Sequence, residues 1–148
     1  MTETAGPAPG YKDMPEHFVN FERSPKRIRV AFGGKTIVDT TDGLIVYERG
    51  HVPVYYFPRD DVAMDLLTGT DHSTHCPFKG DASYFTVNAG GQTAENAVWS
   101  YEQPFDEAAG LKDYLAFYWK KMDAWHEEDE EVFVHARSPK VRVDILDS

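Results

Sequence analysis

The strongest constraint on the fold is the run Arg27-Ile28-Arg29-Val30-Ala31-Phe32, followed by Gly33-Gly34 and Lys35-Thr36-Ile37-Val38-Asp39-Thr40. Charged and apolar residues alternate at strand period in the first run, and the second is equally β-prone. Two such runs joined by Gly-Gly predict a β-hairpin, because the tight turn needs positive φ at its centre. The turn signal Thr41-Asp42-Gly43 then leads into a third strand, Leu44-Ile45-Val46-Tyr47-Glu48.

The pattern continues down the chain. His51 to Phe57 is aromatic and extended, with Pro53 and Pro58 excluding a regular helix. A short helix is expected from Arg59 to Leu67, with Asp60 as its cap and carboxylates in its first turn. The segment His75-Cys76-Pro77-Phe78-Lys79-Gly80 reads as a loop feeding the strand Ala82–Val87. Asn88-Ala89-Gly90-Gly91 turns the chain into Asn96–Tyr101.

One principal helix is expected from about Asp106 to His126. Leu111, Tyr114, Leu115, Tyr118, Met122 and Trp125 form a stripe at helical spacing, which reads as a core-facing side. The acidic run Glu127-Glu128-Asp129-Glu130-Glu131 reads as a solvated turn. Val132–His135 and Val141–Ile145 close the chain as strands. The fold class is therefore mainly β: a small antiparallel curled sheet or barrel-like domain with one principal α-helix and a short second helix.

At 148 residues the chain has enough material for one core, assigned to residues 24–148 as a single domain. Residues 1–23 hold three prolines and few aliphatics and are expected to form a flexible Pro/Gly-rich tail, pinned at most through Tyr11, Phe18 and Phe21. Arg23-Ser24-Pro25-Lys26 recurs as Arg137-Ser138-Pro139-Lys140, most simply as two turns leading into edge strands.

A net charge of −10 argues against nucleic acid as a partner and against docking on anionic membranes. No apolar run is long enough to span a bilayer, and no secretory leader is evident. A single cysteine, Cys76, fits a reducing cytoplasm. Tyr47, Trp99 and Trp119 are available either to cover a homodimer interface or to fill the core.

The densest chemical candidate is His72-Ser73-Thr74-His75-Cys76-Pro77-Phe78-Lys79-Gly80. Nearby cations activate a cysteine by stabilising its thiolate, and His75 and Lys79 are close in sequence; equally, Cys76 is a small apolar packing residue. His72, His75 and Cys76 with Asp71 offer metal-ligand chemistry, but neighbours such as His75-Cys76 rarely close on one tetrahedral ion, so no metal or other cofactor is expected. Lys79 can hold an anion as a point charge or lie on the surface. A second constellation joins Tyr47-Glu48 to Pro53-Val54-Tyr55-Tyr56-Phe57-Pro58 and Asp60-Asp61. It reads either as an apolar pocket around a carboxylate suited to proton transfer or as a core cluster with Glu48 facing solvent. Trp99-Ser100-Tyr101-Glu102 carries the same two readings.

Read together, Tyr55-Tyr56-Phe57-Pro58-Arg59-Asp60-Asp61-Val62 and Cys76-Pro77-Phe78-Lys79-Gly80 resemble domain-of-unknown-function family 427, also labelled nucleotidyltransferase-like. The likeness runs from about Pro25 to Leu146. It takes in Ala97-x-Trp99-Ser100-Tyr101-x-x-Pro104, Ala116-Phe117-Tyr118, Arg137-x-Pro139 and Arg142-Val143-Asp144. It implies a small, mainly β domain with no established reaction. Carried over by position, it points to Glu48, Tyr56, Asp61, Cys76, Lys79, Tyr84, Trp99 and Tyr101, and leaves out His72 and His75. Nucleotidyl transfer needs metal-holding carboxylates and a phosphate-gripping loop, and the sequence offers no such arrangement.

The leading expectation is a binding module for a small polar or anionic ligand near the Cys-Pro-Phe-Lys-Gly loop, with Tyr56, Asp61, Tyr84, Trp99 and Tyr101 as ligand-binding residues. One alternative is a small enzyme using Cys76 as nucleophile, or Glu48 as general base with Lys79 as electrostatic stabiliser. The other is a protein-interaction domain, which would show a contiguous exposed apolar patch in place of an enclosed pocket.

Overall fold

A computed structural model describes residues 4–140 as eleven strands in two antiparallel sheets. The strands are β1 (Val19–Ser24), β2 (Ile28–Phe32), β3 (Lys35–Thr40), β4 (Gly43–Glu48), β5 (Val54–Phe57), β6 (Leu67–Cys76), β7 (Gly80–Ala89), β8 (Gln92–Tyr101), β9 (Leu115–Phe117), β10 (Ala124–Glu127) and β11 (Glu130–Val132). The larger sheet has the order β1-β4-β5-β9-β8-β7-β6, and the smaller has β11-β10-β2-β3. Both sheets are open. The edge strands β1 and β6 do not meet, so of the two expected forms, curled sheet or barrel-like domain, no closed barrel forms. Among the described residues no helix is long and apolar enough to cross a membrane.

The predicted hairpin is present. β2 and β3 pair from Ile28 opposite Thr40 to Phe32 opposite Lys35, and Gly33 and Gly34 have φ of 60° and 74°. A second Gly-Gly turn, Gly90-Gly91, joins β7 to β8, and the two turns touch. A Cβ on Gly33 would lie 2.1 Å from the Ala89 carbonyl oxygen, so glycine is required there by close approach as well as by φ.

Side chains alternate across the larger sheet, so its strands from β4 onward feed two clusters. Ile45, Tyr55, Phe57, Val98, Leu115 and Phe117 face the smaller sheet and share one core with Ile28, Val30, Val38 and Trp125. Leu44, Val46, Tyr56, Tyr84, Tyr101 and Ala116 belong to a second cluster on the outer face, where Ala108 and Leu111 join them.

The principal helix does not form. Its span divides into a 3-10 segment (Asp106–Leu111), β9, a 3-10 turn (Trp119–Lys121) and β10. Asp113 takes a φ of 66°, which no helix interior tolerates, and aromatic residues around β9 favour the pleated surface. The apolar stripe is nonetheless largely buried, because three separate short elements each contribute to it. The short second helix is likewise replaced, by two 3-10 turns, Arg59–Asp61 and Met64–Leu66. The residue before the first is Pro58, and Asp60 caps nothing. The expected loop His75–Gly80 narrows to the turn Pro77-Phe78-Lys79, because His75 and Cys76 end β6 and Gly80 opens β7.

Residues 4–23 pack onto the domain, where a flexible tail is expected for residues 1–23. β1 pairs with β4 along its whole length, from Val19 opposite Glu48 to Ser24 opposite Gly43. Residues 4–18 are tied down by backbone bonds: Ala5 N–H to the Pro104 carbonyl at 2.9 Å, and Gly10 N–H to the Pro77 carbonyl at 3.0 Å. Long-range contacts offset the ordering cost that the local composition cannot. The acidic run is not wholly solvated either. Glu127 is 2% exposed and accepts from Tyr55 Oη at 2.7 Å and from the Arg137 guanidinium at 3.1 and 3.2 Å. The expected strand Val141–Ile145, and the Arg142-Val143-Asp144 part of the resemblance, lie outside the described residues.

Candidate functional site

The register of the larger sheet assembles the site. Tyr56 on β5 stands opposite Ala116 on β9, Ala116 opposite Trp99 on β8, and Trp99 opposite Tyr84 on β7. Directly paired residues point to the same face, so one lateral row carries three aromatic side chains onto the outer face. Tyr101 lies two residues beyond Trp99 on β8 and therefore faces the same way. Glu48 ends β4 at the head of this face.

Lys79 reaches the site from the loop between β6 and β7. Its neighbour Phe78 is 7% exposed and is gripped by the N-terminal segment: the His17 ring stacks on it at 3.7 Å, and the Tyr11 ring meets it edge-on at 5.0 Å. With Phe78 anchored outward, Lys79 turns inward and its ammonium donates to Glu48 Oε1. His17 Nε2 sits 2.9 Å from Glu48 Oε2. The Glu48, His17 and Lys79 side chains are only 8%, 7% and 12% exposed. Burial pushes the Glu48 carboxyl up, but the Lys79 ammonium and the His17 bond outweigh it and hold the group below the ordinary carboxylate range.

Above this cluster opens a cleft of about 400 Å3, walled mainly by aromatic and aliphatic side chains, among them Tyr56, Tyr84, Trp99, Tyr101 and Tyr118. Trp99 Nε1–H donates to Tyr56 Oη at 3.0 Å. Tyr84 Oη shares a hydrogen bond with Thr74 Oγ1 at 2.9 Å and lies 3.4 Å from Tyr118 Oη. The Tyr118 ring packs 4.8 Å from Trp99, and Lys79 Nζ sits 5.9 Å from the centre of the Tyr101 ring. Burial pushes the Tyr56 and Tyr101 phenols up, so both hydroxyls keep their protons. Burial, aided by the bond to Tyr84, pushes Tyr118 up to about 12.

Of the residues singled out in the sequence, Glu48, Tyr56, Lys79, Tyr84, Trp99 and Tyr101 converge on this cleft. Cys76 is half-buried in the same outer-face cluster but does not line the cleft. His75, its expected activating neighbour, is turned away: its Nδ1 pairs with Asp81 at 2.7 Å on the exposed side of β6. His72 lies edge-on to Tyr84 at 4.4 Å. Among the described residues no group of three or more His, Cys, Asp or Glu side chains is placed to hold a metal ion. Asp61 stands apart from the cleft and accepts from Thr40 Oγ1 at 2.6 Å, tying the 3-10 turn after β5 to β3.

Two residues at the site fall outside the sequence reading: Tyr118, which lines the cleft, and His17, which bonds Glu48 without lining it. Helical spacing places Tyr118 on a buried stripe, yet it is 42% exposed at the rim. His17 lies in the segment read as a tail, where the signal was a cluster of rings, Tyr11, His17 and Phe18, within a proline-rich stretch.

A comparison with curated proteins finds no match. A family model does match, over residues 20–128, and so spans β1 to the turn after β10, with Glu48, Lys79 and the aromatic row all inside it. The chain accordingly belongs to the family described as a domain of unknown function, DUF427.

Proposed function

We propose that this domain is a binding module for a small polar ligand held in the outer-face cleft, with Lys79, Glu48, Tyr56 and Tyr84 as its polar contacts. The observation that carries the reading is the buried Glu48–Lys79 pair, with His17 on its far side, at the base of an aromatic cleft. Taking two charges out of water is costly, and a hydrophobic pair of similar volume often serves a fold as well. Charges retained at the floor of a concave apolar site are the usual make-up of a small-molecule pocket, and about 400 Å3 is within the ordinary size range. A reducing, cytoplasmic setting fits the single cysteine.

The test is a thermal-shift screen of small polar and anionic compounds on the wild-type chain and on Lys79→Met and Cys76→Ser. Compounds that raise the melting temperature of wild type and Cys76→Ser, but not of Lys79→Met, support binding at this cleft. Hits equally effective on Lys79→Met would place the ligand elsewhere and overturn the assignment. The enzyme alternative is separated by alkylating Cys76 across pH in the native protein. A thiolate titrating well below about 8.5 would bring nucleophilic chemistry forward, and a thiol reacting only on unfolding would retire it.

A further inference from the structure

We infer that the ligand held in the outer-face cleft is an uncharged, flat ring compound with one hydrogen-bonding edge, such as an aromatic amide, lactam or phenol. This rests on the binding reading above and narrows it to a chemical class.

Charge is the first argument. Asp, Glu, Lys and Arg make up 27% of the chain, yet among the cleft's lining residues only Glu48 and Lys79 carry such side chains, and they are paired with each other. An anion would meet a Lys79 ammonium already neutralised by Glu48, while losing its own hydration. A cation is no better served. The Tyr101 face already has the Lys79 ammonium over it, and that same charge repels a second one.

Shape is the second argument. Tyr84, Trp99 and Tyr118 present rings on one side of the cleft, with Trp99 and Tyr118 tilted by 50° at 4.8 Å. Offset and tilted rings of this kind accept a further flat ring at contact distance. A sugar would need many polar partners for its hydroxyls. The polar side chains lining the cleft, apart from its tyrosine hydroxyls and indole N–H groups, are Glu48, His51, Lys79 and His135.

Hydrogen bonding is the third. The Tyr118 hydroxyl meets Tyr84 Oη only weakly at 3.4 Å, and Tyr84 Oη, bonded also to Thr74 Oγ1 at 2.9 Å, keeps a lone pair, so both can meet an incoming group. Lys79 has three donor protons and spends one on Glu48. One polar edge on the ring suffices to use these groups.

Four probes of matched size separate the possibilities: benzamide, cyclohexanecarboxamide with the same amide on a puckered ring, benzoate with a negative charge, and benzylamine with a positive one. Each is titrated into 15N-labelled full-length protein, with the Trp99 indole N–H resonance followed and assigned through Trp99→Phe. Benzamide is expected to shift that resonance and to bind about fivefold tighter than the puckered amide, the magnitude of one good ring–ring contact. It is also expected to bind tighter than either charged probe. Tyr84→Phe is expected to weaken benzamide while leaving the remaining spectrum folded.

Equal affinity for the puckered amide overturns the inference, as does tighter binding of benzoate or benzylamine. If none of the four moves the Trp99 indole while Lys79-dependent compounds from the screen do, the ligand class is wrong and the cleft still binds. If no compound of either set does, the binding reading itself falls.

Discussion

The two faces of the seven-stranded sheet are built from the same strands and do opposite work. Inward, Ile45, Tyr55, Phe57, Leu115 and Phe117 are each 0–2% exposed and pack against the smaller sheet. The buried carboxylate at that core's edge, Glu127, is held by Tyr55 and Arg137. Outward, Tyr56, Tyr84 and Tyr101 sit among hydroxyls, an indole donor and the Glu48–Lys79 pair, and the wall ends at a half-open Tyr118. One residue of offset separates Tyr55 from Tyr56. Tyr55 packs in the inner core and Tyr56 in the outer cluster, because neighbours along a strand face opposite ways, and the two meet again where both border the cleft.

If the inner face is the source of stability, the largest effect comes from emptying it. Phe57→Ala is expected to cost about 3–5 kcal/mol, read by urea denaturation, because the ring is fully buried and packs against Tyr55, Phe117 and Trp125. A cost below about 1 kcal/mol would mean the two faces do not differ as described.

The outer face breaks differently. Lys79→Met is expected to destabilise by about 2–3 kcal/mol at neutral pH, because it leaves the Glu48 carboxylate buried with His17 alone. The effect carries a pH signature with a definite sign. The native Glu48 is held below the ordinary carboxylate range, so the unfolded chain takes up a proton first as pH falls. The stability it contributes is full above about pH 4.3 and is lost as the pH drops through the native value. Denaturation of wild type and Lys79→Met should therefore differ most at neutral pH and converge in acid. A difference that stays constant with pH would remove Glu48 from the account.

Glu127→Gln is expected to cost about 1–3 kcal/mol, since it replaces one charge-assisted partner of Arg137 and weakens the acceptor for Tyr55. Its loss should show no dependence on cleft ligands, whereas that of Lys79→Met should. The smallest effect is Trp99→Phe, at about 1 kcal/mol, from the lost donor to Tyr56 Oη. That variant sharpens the comparison: it should alter ligand binding far more than folding.

Short-range signals carried much of the fold into the sequence. Gly33-Gly34 and Gly90-Gly91 mark two hairpins because their φ requirement is local. The residue types of the cleft were equally visible: a carboxylate before a tyrosine-rich strand, a lysine in a Pro-Phe-Lys-Gly turn, and Trp99 and Tyr101 two apart on one strand. The helical stripe misled, since its spacing from Leu111 to Trp125 is produced by a 3-10 segment, β9 and β10 in succession, each burying its own residues. Asp61 was grouped with Tyr56 by sequence proximity, yet it bonds to β3. The role of residues 4–18 depends on Phe78 and Glu48, respectively 61 and 31 positions beyond His17, and no local pattern encodes such a pairing.

That N-terminal clamp sets a practical boundary. The family match begins at residue 20, so a chain cut to its limits would keep Glu48, Lys79 and every ring of the aromatic row, yet lose His17 and Tyr11. Phe78 would then stand bare to water, free to swing, and Lys79 would swing with it. A fragment prepared that way would also lose β11, the inner-core residue Ala136 and Arg137, the partner of buried Glu127, and would mislead any search for what the cleft holds.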